Sequence, residues 1–243
     1  MKRYAQYCPV AHALELVGER WVLLIVRDLL NGPRRYTDLL GGLPGIGTNI
    51  LATRLRDLEE AGVIRKEKLP PPAASTVYEL TEYGRELEEA IHALGRWGAR
   101  SLGPPPHDCP LPEEWLVGGA RAMFDPIAAA GISELYEVRS GDEVASIRID
   151  HGRIEASTGP AVDPDAVIEL EPGSLFRLAS RELSPADAVA WGLVRVDGDQ
   201  AALERFITAF NFERRDHAAD DRSALAVARG GSRELAGAAA RTR

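Results

Sequence analysis

Cysteine is nearly absent from this chain: two in 243 residues, Cys8 and Cys109, too far apart to suggest a disulfide framework. No Cys/His group has the spacing of a zinc site and the five histidines are scattered, so neither a metal nor another cofactor is expected. Also missing is an apolar run of the roughly 20 residues that a bilayer-spanning helix needs. The opening Met1-Lys2-Arg3-Tyr4-Ala5-Gln6-Tyr7-Cys8 lacks the hydrophobic core of a signal peptide. These absences lead us to expect a cytoplasmic protein with no membrane partner. Acidic side chains are plentiful, at 37, yet none comes in a pattern with a nucleophile, a histidine or a metal-binding set. Catalysis is therefore not expected, and the chain reads as a non-enzyme. No internal repeat is visible.

What is present is globular in character, 45% hydrophobic and 27% charged, in a length that suits two domains. A formal net charge of -8 argues at first against a polyanionic partner. The charge is unevenly divided, however: residues 1–103 carry 14 Lys/Arg against 13 Asp/Glu, the remainder 15 against 24. Between Arg34 and Lys68 there are seven cations and five anions. Charge thus permits a nucleic-acid surface in the first half without demanding one.

Pro9 to Val17 and Arg20 to Leu30 read as helices, the second with Trp21, Leu24, Ile25 and Leu29 as core. A third helix starts at Tyr36-Thr37-Asp38, and Pro44-Gly45 turns the chain into a fourth. On that helix Leu51, Leu55 and Leu58 fall at i, i+4 and i+7 and form one apolar stripe, while Asn49, Thr53 and Arg56 lie on the opposite side. Gly62 stops it, Val63–Lys68 follows as a strand, and Val77–Leu80 returns beside that strand as a wing. Thr81 then opens a long helix whose stripe Leu87, Ile91, Leu94 and Trp97 is either core or a face for a second subunit.

The interval from Tyr36 to Gly62 has helix-turn-helix proportions, and a helix anchored on one side and polar on the other suits a DNA groove. A polar outer face alone is what any solvated helix shows; the turn and the wing favour DNA. Arg56 has the fork that bonds guanine O6 and N7 together. Thr48 and Asn49 lie near the helix start, where backbone N–H groups meet phosphate, although Thr48 can equally be an N-cap. Arg54 lies nearer the flank and suits a phosphate or an internal carboxylate. Arg65, Lys66 and Lys68 on the wing are expected on phosphates, setting affinity rather than sequence choice.

Residues 101–114 contain five prolines and read as a semi-rigid extended linker. After it, Glu114 to Ala130 looks helical, and Glu143–Ile149 and Arg153–Ser157 form a hairpin at Asp150-His151-Gly152. Ala166–Leu170 and Leu193–Val196 read as strands; Pro172–Leu183, Pro185–Trp191 and Gln200–Phe210 read as helices. From about Arg214 the chain has no aromatic residue and is expected to be disordered.

With Cys8-Pro9-Val10, Gly18-Glu19-Arg20-Trp21, Gly32-Pro33-Arg34-Arg35-Tyr36, Leu51–Gly62 and Tyr78-Glu79-Leu80-Thr81-Glu82-Tyr83-Gly84 in order, residues 8–100 resemble the HxlR family of bacterial winged-helix transcription regulators. The resemblance implies a homodimer on double-stranded DNA, binding an inverted repeat with one recognition helix per half-site, and repression rather than activation. One departure is the wing tip, Leu69 to Thr76, which lacks the basic residue often found there. About 118–212, the hairpin, Asp165-Ala166-Val167-Ile168-Glu169-Leu170, Ser174-Leu175-Phe176-Arg177-Leu178, Ser184-Pro185-Ala186-Asp187-Ala188 and Arg195-Val196-Asp197-Gly198-Asp199 look like an SCP2-like (sterol carrier protein type) fold. That resemblance implies an α/β sheet layered with helices over an apolar tunnel for a lipid-like or other hydrophobic small molecule. The expected fold class is α+β: a winged helix-turn-helix domain at 1–100, the linker at 101–114, an SCP2-like α/β domain at 115–212 and a disordered tail at 213–243.

For the tunnel wall the candidates are Leu175, Phe176, Leu178, Ala179, Leu183, Trp191, Leu193, Phe206 and Phe210, each of which can equally be plain core. Arg177 and Arg181, one turn apart, are placed to receive an acidic headgroup or to stay on the surface. Two other functions fit parts of the pattern. Cys8 precedes the first helix, where the helix dipole favours a thiolate, and some members of the resembled family sense oxidants with a cysteine near this place. The chain then reads as a thiol-switch regulator with a structural second domain. Alternatively it is a lipid-binding carrier whose winged helix serves assembly. Cys109 carries no assignment.

Overall fold

A computed structural model describes residues 4–70, 75–103, 111–112 and 114–210. The proline spacer at 104–110 with Cys109, the wing tip at 71–74 and the tail from 211 onward lie outside the described residues.

The N-terminal half runs α1 (Pro9–Val17), α2 (Val22–Leu30), β1 (Arg34–Arg35), α3 (Tyr36–Gly42), α4 (Thr48–Glu60), β2 (Ile64–Lys68), β3 (Thr76–Leu80), α5 (Glu82–Arg85) and α6 (Glu88–Leu102). Its antiparallel sheet has the order β1-β3-β2. Leu51, Leu55 and Leu58 of α4 are buried against Ile25, Leu29, Leu39, Ile64 and Leu80 in one core. Of the core expected on α2, Ile25 and Leu29 are buried, joined by Val22 and Val26, while Leu24 is exposed and Trp21 only partly buried. The cause is local. Trp21 is the N-cap with φ +82°, a left-handed residue that keeps it out of the helical phase it precedes. Strand β1 went unseen because two arginines make no pattern; Arg34 and Arg35 pair with Tyr78 and Val77.

The long helix expected from Thr81 is broken between Arg85 and Glu88. Thr81 Oγ1 accepts the Gly84 N–H at 3.0 Å and donates to the Gly62 carbonyl at 2.7 Å. This pins the short α5 onto the turn between α4 and β2. Gly84 lies so close there that a Cβ would collide with the Val63 carbonyl.

The C-terminal half runs α7 (Trp115–Met123), β4 (Ser133–Ser140), β5 (Glu143–Asp150), β6 (Arg153–Thr158), β7 (Ala166–Leu170), α8 (Pro172–Ala179), α9 (Pro185–Ala190), β8 (Val194–Gly198) and α10 (Ala201–Thr208). The sheet order is β6-β5-β4-β7-β8, antiparallel except for the β4–β7 pair. Tyr136, Val138, Ile147, Ala156 and Ile168 put one apolar face under the helices, with Tyr136 edge-on to Phe206 of α10 at 5.0 Å. Arg148, Glu155, Glu169 and Arg195 occupy the alternate positions and are not buried. The β5–β6 turn has positive φ at both His151 and Gly152, as a tight hairpin requires.

Two expectations fail here. Central strand β4 was missed because Leu135 beside Tyr136 interrupts the alternation of its sequence; in the fold Leu135, Tyr136, Glu137 and Val138 are all buried in succession. Helix α7 stops at Met123 rather than Ala130, since Pro126 disfavours helical geometry at Asp125. Phe124 instead makes a β-bridge to Phe210.

Candidate nucleic-acid interface and apolar cleft

Helix α4 is oriented by its leucine stripe, which leaves Thr48, Asn49 and Arg56 exposed, together with Ile50, Ala52, Glu59 and Glu60. Gly47 is the N-cap and Thr48 the first helical residue, so Thr48 is not the cap; its carbonyl accepts the Tyr36 hydroxyl at 2.8 Å from α3. Thr53 turns its hydroxyl back to the Asn49 carbonyl at 2.8 Å, which leaves its donor occupied. Arg56 is 65% exposed and only loosely near Asp57 and Glu60, both at 3.9 Å.

Arg54 differs from its neighbours. It bonds Glu19 at 2.8 Å and Asp57 at 3.3 Å, and its Nε is buried with no hydrogen-bond partner. A phosphate contact from Arg54 requires breaking the Glu19 pair, so the internal-carboxylate reading describes it as it stands. On the wing, Arg65 bonds Glu79 at 2.7 Å across the β2–β3 pair, and Lys66 lies 5.6 Å from the ring centre of Tyr78. Lys68 is exposed at the end of β2, just before Leu69 N–H closes the hairpin on the Ser75 carbonyl.

In the C-terminal half an apolar cleft of about 400 Å³ opens between α7, α8, α10 and the sheet. Leu175, Phe176, Ala179, Phe206 and Phe210 line it as expected residues do. Leu178 and Leu183 are corrected to plain core, buried away from the cleft; Leu193 packs against that same core. Trp191 caps α9 and is 64% exposed, also off the cleft. Arg177 and Arg181 are not among its lining residues either. Sequence reading missed a whole wall: Trp115, Leu116, Gly119, Ala120 and Met123 of α7, Val138 and Ile147 of the sheet, and Ala99 and Leu102 at the end of α6. The α7 stripe was the available signal, hidden by the overlong helix assigned there.

Beside the cleft, Arg205 of α10 bonds Glu134 at 2.7 Å and Asp199 at 2.8 Å. The Arg205 guanidinium holds the Asp199 carboxyl below its ordinary value. Tyr136 donates to Glu134, and burial followed by that carboxylate pushes its hydroxyl far up, keeping it neutral. Cys8 is the N-cap of α1 and partly exposed. Among the described residues no group of His, Cys, Asp and Glu is arranged to hold a metal, and no helix is long and apolar enough to cross a membrane.

Two family models match the chain: the HxlR-like helix-turn-helix over residues 16–105, and the SCP-2 sterol transfer family over 128–211. The chain is similar to the HTH-type transcriptional regulator sll1512 of Synechocystis, 36% identical over 43% of this chain and 77% of that protein. It is also similar to the HTH-type transcriptional regulator YvaP of Bacillus subtilis, 31% identical over 41% of this chain and 94% of that one. A third relative, the HTH-type transcriptional regulator Rv3095 of Mycobacterium tuberculosis, is 44% identical over 40% of this chain and 63% of its own length. The first family model spans the half that carries α4 and its wing, and the chain belongs to the HxlR-like helix-turn-helix family of transcriptional regulators, with an SCP-2 sterol transfer domain in its C-terminal half.

Proposed function

We propose that this protein is a cytoplasmic, homodimeric repressor that binds an inverted-repeat operator and releases it when a hydrophobic ligand enters the C-terminal cleft; it performs no catalysis of its own. The observation that carries the reading is the uncovered polar face of α4, with Asn49 and Arg56 outward and three leucines buried behind them. Such a helix enters the major groove with side chains that discriminate base edges, and two copies one DNA turn apart, about 34–36 Å, read a palindrome. Dimerisation is supported by apolar side chains left on the surface: Tyr7 just before α1, Val10 and Leu14 on it, and Leu94 and Trp97 on α6, Trp97 being 69% exposed.

The test is a gel shift on the region upstream of the protein's own gene, with Arg56→Ala in parallel and salt varied. Binding that falls steeply with salt and collapses in the variant is expected. Intact specific binding by Arg56→Ala sinks the groove-reading role of that residue, whereas a wild-type chain that binds no upstream duplex leaves the carrier reading with a winged helix used for assembly. A second reading rests on Cys8, an accessible thiol at a helix start. In it, oxidant releases the DNA and Cys8→Ser abolishes that release; a serine variant that still responds to oxidant ends it.

A further inference from the structure

The cleft does not belong to the C-terminal domain alone. Ala99 and Leu102 of α6, the last helix of the DNA-binding half, form part of its wall, and Leu102 is 76% exposed at its rim. The opposite wall comes from α8, α10 and the sheet. Between them lies α7, at residues 115–123, in the interval that neither family model covers.

Helix α7 is held from both sides. From the DNA-binding half, Arg34 of β1 bonds the Glu114 carboxylate at its N-terminal end at 2.9 Å, and Arg96 of α6 donates to the Ala122 carbonyl at its C-terminal end at 3.0 Å. At Gly95 a Cβ would stand 3.9 Å from the side chains of Ala122 and Met123, so α6 runs along α7 at ordinary contact distance there. From the other half, Arg121 donates to the Ala156 carbonyl of β6 at 2.7 Å, and Glu143 of β5 accepts the Leu116 N–H at 3.3 Å. A cation over helix-terminal carbonyls and an anion at the helix start both complement the helix dipole. The helix is therefore a shared strut, and its inner face is cleft wall.

Resting on the ligand reading above, we infer that this is a two-domain site for a single-chain or flat amphiphile. The hydrocarbon body lies against α7 and the α6 end, and the polar group stays at the rim near Leu102 and Leu111. The chemistry of the lining supports that class. The described lining residues carry no ionisable side chain, and their side-chain hydrogen-bonding capacity is the one indole N–H of Trp115. A charged group inside finds no partner, whereas hydrocarbon finds Met123, Phe176 and Phe206. Because α6 both lines the site and packs with Leu87 and Ile91 on the winged-helix core, ligand binding that favours one α6–α7 arrangement also favours one placement of α4.

Linkage makes this measurable: a ligand that changes DNA affinity must have its own affinity changed by DNA by the same factor. The probe is parinaric acid, a fluorescent long-chain fatty acid, titrated into the full chain with and without saturating upstream duplex. The expected outcome is a shift of the probe Kd by a factor of about 5 to 150, matched by the reciprocal shift in DNA Kd. Leu102→Asp, an exposed change on the DNA-binding half, is expected to weaken the probe about tenfold in the absence of DNA, with Ala99→Phe as the second α6 variant. Glu114→Gln is expected to retain the probe while the reciprocal shift shrinks. If the probe binds, is indifferent to DNA and ignores both α6 variants, the two-domain site is overturned and the ligand reading survives. If the wild-type chain binds no probe, both fall together.

Discussion

The Arg54 guanidinium meets the Glu19 carboxylate at 2.8 Å, tying the recognition helix to the segment just before α2. Arg54 is mostly covered while Glu19 is largely in solvent, so the pair is worth only about 0.2–1 kcal/mol. We expect Glu19→Gln to lower thermal stability slightly and to free a cation beside the DNA-facing surface. Affinity at low salt then rises, and the slope of log affinity against log salt steepens by up to about 0.9, the value of one added phosphate contact. Anisotropy titrations at several salt concentrations decide the matter. An unchanged slope means Arg54 stays with Asp57 and never reaches the backbone.

Arg56 and Lys68 are expected to fail differently. Arg56→Ala costs about 1–3 kcal/mol on the cognate duplex and little on random DNA, because a bidentate base contact is lost. Lys68→Ala weakens both duplexes by a similar factor and lowers the salt slope by about 0.9. Competition binding against scrambled DNA separates the two, and equal losses from Arg56→Ala on both duplexes refute its role as reader.

Gly84→Ala is the sharpest test of the wing's attachment. A methyl group there strikes the Val63 carbonyl, and backbone cannot swing aside as a side chain can. We expect about 1–3 kcal/mol of destabilisation by urea unfolding, as for other overpacked sites. A neutral result shows that α5 is not seated on the α4–β2 turn.

His92 of α6, within reach of the charge of Arg121 on α7, gives the stability a pH dependence. Burial, with Arg96 and Arg121 adding to it and Glu88 and Glu89 opposing, holds its pKa below the ordinary 6.5. A depressed folded-state pKa means that the unfolded chain takes up the proton first. The contribution is present above pH 6.5 and is lost as pH falls through that value toward the lowered one. Melting temperature is therefore expected to drop between pH 7.5 and 5.5, and His92→Gln to flatten that part of the drop. Parallel curves for the two proteins rule it out.

Much of this molecule is legible in its residues, and the failures have physical causes. The α4 stripe is readable because a helix repeats its contacts every three to four residues, so Leu51, Leu55 and Leu58 declare a face without reference to the rest of the chain. The β5–β6 hairpin is readable because Asp150-His151-Gly152 supplies the left-handed residues that a tight turn needs. Strand β4 is not, since Leu135 beside Tyr136 breaks the alternation and leaves only the short run Tyr136-Glu137-Val138-Arg139 to show it. The DNA-facing residues are sorted by the sequence only in part: Arg54 is legible as a flank residue suited to a phosphate or an internal carboxylate, but that its partner is Glu19, and that Glu79 holds Arg65, is seen only in the fold.

Local chemistry alone dictated which side of α4 goes inward, the turn into it at Pro44-Gly45 and the β5–β6 hairpin turn. Those features depend on neighbours a few positions apart, whose geometry is set by backbone repeat and turn conformation. The cleft depended on folding. Ala99, Trp115, Val138 and Phe206 come from four separate segments, and no periodicity links them. Only the packing of α7 between α6 and the sheet brings them to one surface, because contacts between distant segments are decided by which apolar faces remain to be covered once each element has formed.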